Sequence, residues 1–373
     1  MTTWRYLSDD GAGAARGLAL DEALMTSHAR TVAPAPPVLR LYTYTSHAAL
    51  CGRFQHLEAE IDIDACRRTG TSFNRRPTGG GAIVMGEGQL GVAVTTRAPA
   101  DERPKSTLLR LSQGVVTGLS KLGIESSFGG KNDLKVDGRK IAGLGLYLDG
   151  HGGLLFHASV LADLDVAFML EVLDIPAAKL GDRAVEAVHG RVTTVSRELG
   201  GAWTGAMLRE AVASGFAEAL GMDLAESEPT GEEIALTDSL VRDKYASEDW
   251  LFARTPQHDA NATALLRTPA GLVRLYLALQ GDTIKSALFT GDFNDIPPPI
   301  ARFEAGVKWA RLARRDIEAI AESAFVNGTG LDVSPEEVVS TVLEAGGRAK
   351  ERSAVSTPAR NGSCYFPDDE EAQ

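Results

Sequence analysis

One segment of the chain combines cationic side chains with three consecutive glycines. Residues 75–83 read Arg-Arg-Pro-Thr-Gly-Gly-Gly-Ala-Ile. Glycines let the backbone approach a ligand closely and aim its amides at an anion. The planar guanidinium of Arg76 can bind a carboxylate or phosphate through two hydrogen bonds. Taken alone, the segment also fits a glycine-rich hairpin turn with solvated arginines.

A second segment places polar side chains on two strands joined by a tight turn. Residues 131–143 read Lys-Asn-Asp-Leu-Lys-Val-Asp-Gly-Arg-Lys-Ile-Ala-Gly, in which Asp-Gly is a strong hairpin signal. A hairpin lets Asn132, Asp133 and Lys140 converge, and the small residues after Lys140 leave it unshielded. A lysine in that place suits an oxygen that bridges a carboxyl carbon and a phosphate. By itself, Lys140 also fits a surface lysine beside a turn.

Together the two segments resemble the biotin/lipoate ligase superfamily, and most closely the lipoate-protein ligase A family. That family has an Arg-Arg-x-Ser/Thr-Gly-Gly-Gly-Ala loop, an Asn-Asp-hydrophobic segment and a Lys-hydrophobic-small-Gly strand, and all three occur here in the same order. Weaker likenesses are found in residues 19–24, 52–55, 156–157 and 291–293. The resemblance covers roughly residues 15–345, and its specific motifs lie in 75–83 and 131–143.

The resemblance implies a two-step reaction. Lipoate and Mg-ATP would give lipoyl-AMP and pyrophosphate, and a lysine of a lipoyl-domain or lipoate-binding carrier protein would then attack the mixed anhydride. Lys140 matches the catalytic lysine, which stabilises charge on the carboxyl and phosphoryl oxygens. Asp133 matches a position that either holds Mg²⁺ or orients the incoming lysine, and both roles stay open. The residues expected to contact the lipoyl-adenylate are Arg76, Thr78, Gly79, Gly80, Gly81, Ala82, Asn132, Asp133, Ala142 and His157.

His157 also fits a histidine that is simply satisfied within a buried strand. Three positions depart from the family pattern. Met85 stands where many ligases have histidine, Gln89 where they have asparagine, and Ala158 where several have glycine. The family's contacts with pyrophosphate or metal at these positions are therefore not carried over to this chain. The departures also raise the alternative of a lipoyl-carrier-binding protein without catalysis. A biotin ligase is disfavoured, because its loop usually reads Gly-Arg-Gly-Arg.

A further alternative within the superfamily is an octanoyl or lipoyl transferase that uses no ATP. Such transferases form a thioester on a cysteine. Cys51 and Cys66 precede the glycine segment and Cys364 lies near the end of the chain, whereas the transferases place their cysteine after the position of Lys140. This argument favours the ligase over the transferase.

The elements that must hold these residues predict an α+β fold. Strand-like alternation, hairpin turns and interspersed helices indicate a mixed, mostly antiparallel sheet flanked by helices. Residues 38–44 are expected to form a strand paired with 49–54. Three regions are expected: a catalytic domain over 1–225, a smaller α+β accessory domain over 230–350, and a disordered acidic tail over 353–373. The capping-box pair Thr230 and Glu233 begins the first helix after the boundary.

Composition narrows the classes of partner. The formal net charge of the 373 residues is -12, which disfavours a nucleic-acid or anionic-membrane binder. Three cysteines without metal-ligand spacing are typical of a reducing compartment. The sequence shows no secretory signal and no apolar stretch of about 20 residues, so a cytoplasmic protein is expected.

Overall fold

The structure is a computed structural model. It describes residues 2–11, 13–30, 35–174, 184–269, 271–293 and 295–356. The described chain forms two compact units. The first contains the residues up to Thr255 together with Asp292, Phe293 and Asp295. The second contains 256–291 and the described residues from 296 onward.

Eleven strands of the described chain belong to the first unit. They are β1 (Thr2–Asp10), β2 (Val38–Thr43), β3 (Ala48–Cys51), β4 (Ser72–Arg75), β5 (Ile83–Met85), β6 (Gln89–Arg97), β7 (Ser127–Gly129), β8 (Asp133–Val136), β9 (Arg139–Leu148), β10 (Gly153–Leu161) and β11 (Met222–Glu226). Eight of them form one sheet in the order β11-β1-β2-β6-β10-β9-β8-β7. β1 pairs in parallel with β2 and β11, and the other pairs are antiparallel. The predicted mixed, mostly antiparallel sheet is confirmed.

Helices cover both faces of this sheet. In the first unit they are α1 (Ala14–Arg30), α2 (Ile63–Thr69), α3 (Pro104–Lys121), α4 (Val166–Val172), α5 (Ala184–His189), α6 (Val195–Leu199), α7 (Arg209–Leu220), α8 (Gly231–Leu240) and α9 (Glu248–Leu251), with short 3₁₀ turns at Leu57–Ala59 and Ala206–Leu208 and a π-helical turn at Val241–Tyr245. α3 and α7 pack on one face, where apolar side chains of β6, β9 and β10 join the main core. α1 packs on the opposite face against β6 and β10.

A second, three-stranded sheet carries the glycine segment. Its order is β4-β3-β5, so that the chain passes from β4 through residues 76–82 into β5. The expected pairing of 49–54 with 38–44 is wrong. β2 pairs with β1 and β6 in the large sheet, whereas β3 pairs with β4 and β5. Strand alternation identifies a strand, but both partners of β3 come later in the chain and carry no local signal.

The boundary between the units also differs from the expected one near 226–230. Thr230 and Glu233 form the expected capping box, but the helix they begin, α8, belongs to the first unit. Arg5 explains the placement, because its guanidinium donates to both carboxylate oxygens of Glu233 at 2.6 and 2.9 Å. A capping signal marks where a helix starts and does not reveal what the helix packs against.

The second unit is a smaller α+β structure. Its strands are β12 (Ala262–Thr268), β13 (Gly271–Gln280) and β14 (Thr283–Gly291), and its helices are α10 (Pro298–Val307), α11 (Arg314–Ala324) and α12 (Pro335–Ser356). The strands form an antiparallel sheet in that order. Of the predicted tail, 353–356 lie in α12 and 357–373 lie outside the described residues. Within the described chain, no helix has the length and apolar character needed to span a bilayer.

Candidate functional site

A cavity lies between the glycine segment and the α1-side face of β9 and β10. Apolar side chains form one part of its wall: Leu18, Leu50, Ile83, Met85, Leu161, Leu164 and Met169. Polar side chains form another part: Arg76, Thr78, Asn132, Lys140, His157 and Ser159. Gly79, Gly80, Gly81 and Ala82 complete the rim. The structure thus brings most of the sequence-predicted site residues to one cavity that has a polar and an apolar part.

Two of the predicted ligand contacts, Asp133 and Ala142, do not line the cavity. Asp133 is paired with Lys140 instead, and Ala142 lies on the other face of the sheet. Its side chain is fully buried in the main hydrophobic core. Successive residues of a strand point to opposite faces, so Gly143 and Gly145 face the cavity while Ala142 faces away. The expectation that Ala142 contacts a ligand is corrected accordingly.

The glycine loop, residues 79–81, is held by groups of the protein itself. Gly80 has φ +93°, a conformation that favours glycine, and its N–H donates to the carbonyl of Phe293 at 2.8 Å. The Arg76 guanidinium donates to the carbonyls of Leu50 at 2.6 Å and Gly81 at 2.8 Å. Burial lowers the pKa of Arg76. The buried guanidinium therefore fixes the shape of the loop at the cavity wall.

The residues before the loop complete its support. A methyl group added at Gly52 would lie 1.9 Å from the carbonyl oxygen of Gly80, so the loop rests directly on the Gly52 backbone. Gln55 accepts from the Gly52 N–H at 2.7 Å and donates to Asp292 at 2.9 Å. Neither Gln55 nor Asp292 was among the predicted site residues. Gln55 belongs to the weaker family likeness at residues 52–55, which reads Gly-Arg-Phe-Gln. Nothing in the sequence linked Asp292 to this loop.

The predicted hairpin forms between β8 and β9, and it brings Lys140 to Asp133. Lys140 Nζ lies 2.7 Å from an Asp133 carboxylate oxygen, and the side chains are 35% and 27% exposed. Both backbone groups of Lys140 are bonded as well, its N–H to Arg191 and its carbonyl to the N–H of Thr193, each at 2.8 Å. Asn132 is tied to β9 by its side-chain amide, which donates to the Leu144 carbonyl at 3.1 Å.

Two glycines of β9 make room for side chains on the cavity face. A methyl group at Gly143 would lie 3.0 Å from Lys140 Nζ, and one at Gly145 would lie 3.3 Å from Thr78 Cβ. The register pairs Gly143 with Ser159 and Gly145 with His157. Lys140 and Thr78 therefore lie above the sheet beside those two residues of β10. The ammonium and the imidazole belong to the same wall of the cavity.

His157 is bonded to a buried acid that the sequence-based site did not include. Its Nε2 lies 3.0 Å from Asp21 Oδ2, and Asp21 is completely buried. Arg40, also completely buried, donates to Asp21 Oδ1 at 2.6 Å and to Asp9 at 2.8 Å. Burial alone would raise the pKa of Asp21, but Arg40 and His157 outweigh it, and the pKa is lowered. The sequence did contain a signal for Asp21, because an acidic residue lies there among the apolar residues of α1.

The three departures from the family pattern have local explanations. Met85 is buried at the cavity wall, where the Ser159 hydroxyl lies 3.1 Å from its sulfur. Gln89 is buried and donates to the Asp163 carbonyl at 2.7 Å. Ala158 packs in the main core. Met85 and Ala158 both line the cavity, whereas Gln89 does not.

Neither described cysteine faces the cavity. Cys51 and Cys66 are both buried in the apolar cluster between the small sheet and α2. Burial raises the pKa of the Cys51 thiol, and it raises the pKa of Cys66 to about 11. A thiolate is the nucleophilic form of cysteine, so these two thiols are poorly suited to attack a substrate. Cys364 lies outside the described residues.

The sequence model of the lipoyl protein ligase A/B catalytic domain matches residues 14–217, which is more than half of the chain. The chain belongs to this family. Of its relatives, octanoyltransferase LipM of Kyrpidia tusciae is 32% identical over 279 residues, which cover 68% of this chain and 100% of that protein. Octanoyltransferase LipM of Symbiobacterium thermophilum is 29% identical over 272 residues, which cover 67% and 98%.

Solved structures of ligase A/B proteins share the fold. One is described as a bipartite lipoate protein ligase and its E2 lipoyl domain from Thermoplasma acidophilum, with 28% identity, a TM-score of 0.61, and coverage of 69% of this chain and 99% of that chain. Another is described as lipoate-protein ligase A bound with ATP, with 27% identity, a TM-score of 0.59, and coverage of 68% and 99%. The fold and the family predicted from the sequence are confirmed.

The predicted activity, ATP-dependent lipoate ligation, is corrected by the relatives, which are named octanoyltransferases. The motifs that supported the ligase were expected to contact an acyl group and the oxygen of its carbonyl, and neither task depends on how the acyl group was activated. The position of the cysteines concerns whether the acyl group is held covalently during transfer. It does not decide whether the acyl donor is a thioester or a free acid activated by ATP. The argument from the cysteines against a transferase is therefore wrong.

Proposed function

We propose that this protein is an acyltransferase that moves an octanoyl or lipoyl group, without ATP, from a carrier thioester to a lysine of a lipoyl-domain protein. The observation that carries the proposal is the similarity to octanoyltransferases LipM, two of which are matched over 98% and 100% of their length. The acceptor is proposed from the ligase A/B protein described together with an E2 lipoyl domain.

The apolar part of the cavity supports a medium-length acyl chain as the transferred group. Its side chains come from α1, β3, β5, the end of β10, the loop that follows β10, and α4. Each methylene buried there contributes about 0.8 kcal/mol to binding. The acyl chain would lie along these residues, with its carbonyl at the polar part beside Lys140 and Thr78.

Lys140 has the arrangement needed to stabilise the transferring carbonyl. Its ammonium lies over Gly143, its side chain lines the cavity, and Asp133 is paired with it at 2.7 Å. Attack on a thioester places negative charge on the carbonyl oxygen, and a fixed cation stabilises that charge in the transition state. Asp133 is assigned to orienting Lys140.

Neither Mg²⁺ nor ATP takes part in the proposed transfer. Asp133, the residue expected to hold the metal, is paired with Lys140. Cys51 and Cys66 take no part in it either, since both residues are buried and lie outside the cavity wall.

Transfer assays with purified components test this function. The donor is the octanoyl thioester of an acyl carrier, the acceptor is an unmodified lipoyl domain, and mass spectrometry follows the acceptor with and without ATP. We expect an octanoylated lysine at the same rate in both cases. Lys140→Ala should reduce the rate on the order of 10²–10³-fold. Lys121→Ala is the matched control, because Lys121 forms an exposed ion pair with Glu218 remote from the cavity and should retain the parent rate.

Two results would contradict the proposal. Product that forms from free octanoate or lipoate only when ATP is present would show that the acyl group is activated by adenylation. A lipoyl domain that binds but stays unmodified with every donor would show a carrier-binding protein without catalysis.

A further inference from the structure

A line of buried polar groups reaches from the edge of the first unit to the cavity. It runs from Asp9 through Arg40 and Asp21 to His157, with successive distances of 2.8, 2.6 and 3.0 Å. The Arg40 guanidinium also lies 4.2 Å from the centre of the Tyr42 ring and donates to the Gly17 carbonyl. Burying charged groups costs free energy unless they are paired and hydrogen-bonded. A buried charged network of this kind therefore points to a functional role.

The pairing determines the tautomer of His157. Asp21 accepts from Arg40 through one carboxylate oxygen, and the second oxygen faces His157 Nε2. The adjacent guanidinium favours the ionised form of Asp21, whose pKa is lowered. An ionised carboxylate only accepts hydrogen bonds, so the ring proton must lie on Nε2. In the neutral ring Nδ1 is then a proton acceptor, and within the described chain no hydrogen bond to it is found.

The strand register places this ring beside the proposed reaction centre. His157 is opposite Gly145, and Ser159, two residues along β10, is opposite Gly143, above which the Lys140 ammonium lies. Two residues of a strand span about 7 Å. The wall of the cavity therefore carries a cation and a proton acceptor on the same face of the sheet, two residues apart along β10.

We infer that His157 is the general base of the transfer reaction and that Asp21 and Arg40 are its positioning residues. This inference rests on the acyltransferase function proposed above. The neutral amine of the acceptor lysine attacks the thioester carbonyl while Lys140 stabilises the oxygen. As the C–N bond forms, Nδ1 of His157 takes a proton from the nitrogen. The C–S bond then breaks, and His157 returns that proton to the leaving thiolate, which leaves an amide, a free thiol and a neutral imidazole.

Other groups at the cavity fit this task less well. The Asp133 carboxylate is paired with Lys140, and losing that partner would also displace the cation. The Ser159 hydroxyl lies against the Met85 sulfur. Imidazole is the side chain best matched to proton transfer near neutral pH, and an acid partner that fixes its tautomer increases its usefulness as a base.

Two variants of His157 separate a basic role from a structural one. Gln in this position can still donate to Asp21 but has no basic nitrogen, and Ala leaves space for added imidazole. We expect kcat to fall on the order of 10²–10⁴-fold in both variants, with little change in KM for the acyl donor. Imidazole should restore part of kcat in His157→Ala only. His28→Gln is the control, because His28 is a buried histidine of α1 that lies outside the cavity wall and should retain kcat.

¹⁵N NMR of the histidine rings tests the arrangement without using activity. The signals of the seven histidines are assigned by comparison with His157→Gln, and the His157 ring should carry its proton on Nε2. A proton on Nδ1 would overturn the inference. Parent-like kcat in both His157 variants, in a parent that transfers the acyl group, would overturn it and leave the proposed function intact. A parent that transfers nothing would instead reject the proposed function, and the basic role of His157 with it.

Discussion

Gly143 leaves the space above β9 that the Lys140 ammonium occupies. A methyl group there would lie 3.0 Å from Nζ and 3.1 Å from Cε of Lys140. The backbone of Gly143 does not have positive φ, so alanine is compatible with the strand. Removing a glycine at a compatible position stabilises a protein by about 0.4–1 kcal/mol through the unfolded state. The fold of Gly143→Ala should therefore persist while the cation moves.

We expect Gly143→Ala to lower the transfer rate on the order of tenfold, because the added methyl group would crowd Nζ and Cε of Lys140 and shift the ammonium. Steady-state kinetics measures the rate, and thermal unfolding followed by circular dichroism checks that the fold is retained. Gly347→Ala is the matched control, since a methyl group at that helical position would meet nothing within 4 Å. Parent-like kinetics of Gly143→Ala would mean that the exact position of the ammonium is unimportant.

At the scale of residues, the sequence predicts what a short stretch of chain determines. Lys140 and Asp133 are seven positions apart on one hairpin, so the turn alone brings them together. His157 was predicted as a ligand contact, but its bond to Asp21 joins residues 136 positions apart. Nothing local predicts that pairing, because it depends on α1 packing against β10. The cavity-facing glycines could have been distinguished from Ala142 by strand alternation.

At the scale of elements, α1 carries a buried histidine that makes the stability of the fold depend on pH. His28, near the end of α1, is buried, and its Nε2 lies 3.4 Å from the Thr95 hydroxyl of β6. Burial lowers the pKa of His28 from 6.5 to about 4. Above pH 6.5 the histidine is neutral in both states. Between pH 6.5 and 4 the unfolded chain binds a proton that the folded chain does not. The free energy of unfolding therefore decreases as the pH is lowered through that window.

We expect His28 to reduce the free energy of unfolding by about 2 kcal/mol on going from pH 7.5 to pH 5. Urea denaturation at the two pH values measures this difference in the parent and in His28→Gln, and the variant should lose about 2 kcal/mol less. Carboxylates with lowered pKa, among them Asp10 and Glu233, act at lower pH and contribute little at pH 5. Equal pH dependence in both proteins would mean that His28 is charged in the folded state.

At the scale of the whole molecule, the first unit is completed by a distant part of the sequence. Asp292 and Phe293 follow β14 along the chain but belong to the unit of the glycine loop. The side chains of Gln55 and Asp292, 237 positions apart, are joined by a hydrogen bond of 2.9 Å, and Phe293 accepts the N–H of Gly80 at 2.8 Å. The sequence likeness at 291–293 indicated an accessory domain. It did not indicate that Asp292 and Phe293 support the glycine loop of the first unit.

From these two contacts we predict that the Gln55–Asp292 hydrogen bond limits the mobility of the glycine loop. Loss of either partner should free the short segment that accepts the Gly80 N–H, and amide exchange at Gly80 should then accelerate. A hydrogen bond to a charged group contributes about 1.5–3 kcal/mol, so Gln55→Ala and Asp292→Ala should each speed exchange on the order of tenfold or more. Hydrogen–deuterium exchange with mass spectrometry measures this for peptides that cover residues 76–82.

The double variant distinguishes coupling from two independent effects. If the Gln55–Asp292 bond is the link, Gln55→Ala with Asp292→Ala should exchange little faster than either single variant, because the same bond is lost in all three. Multiplicative acceleration would mean that the two residues support the loop separately, through the Gly52 N–H on one side and the Phe293 carbonyl on the other. The transfer rate should follow the exchange rate only if the loop forms part of the acyl site, so measuring both on the same three variants also tests the place of Gly79–Gly81 in that site.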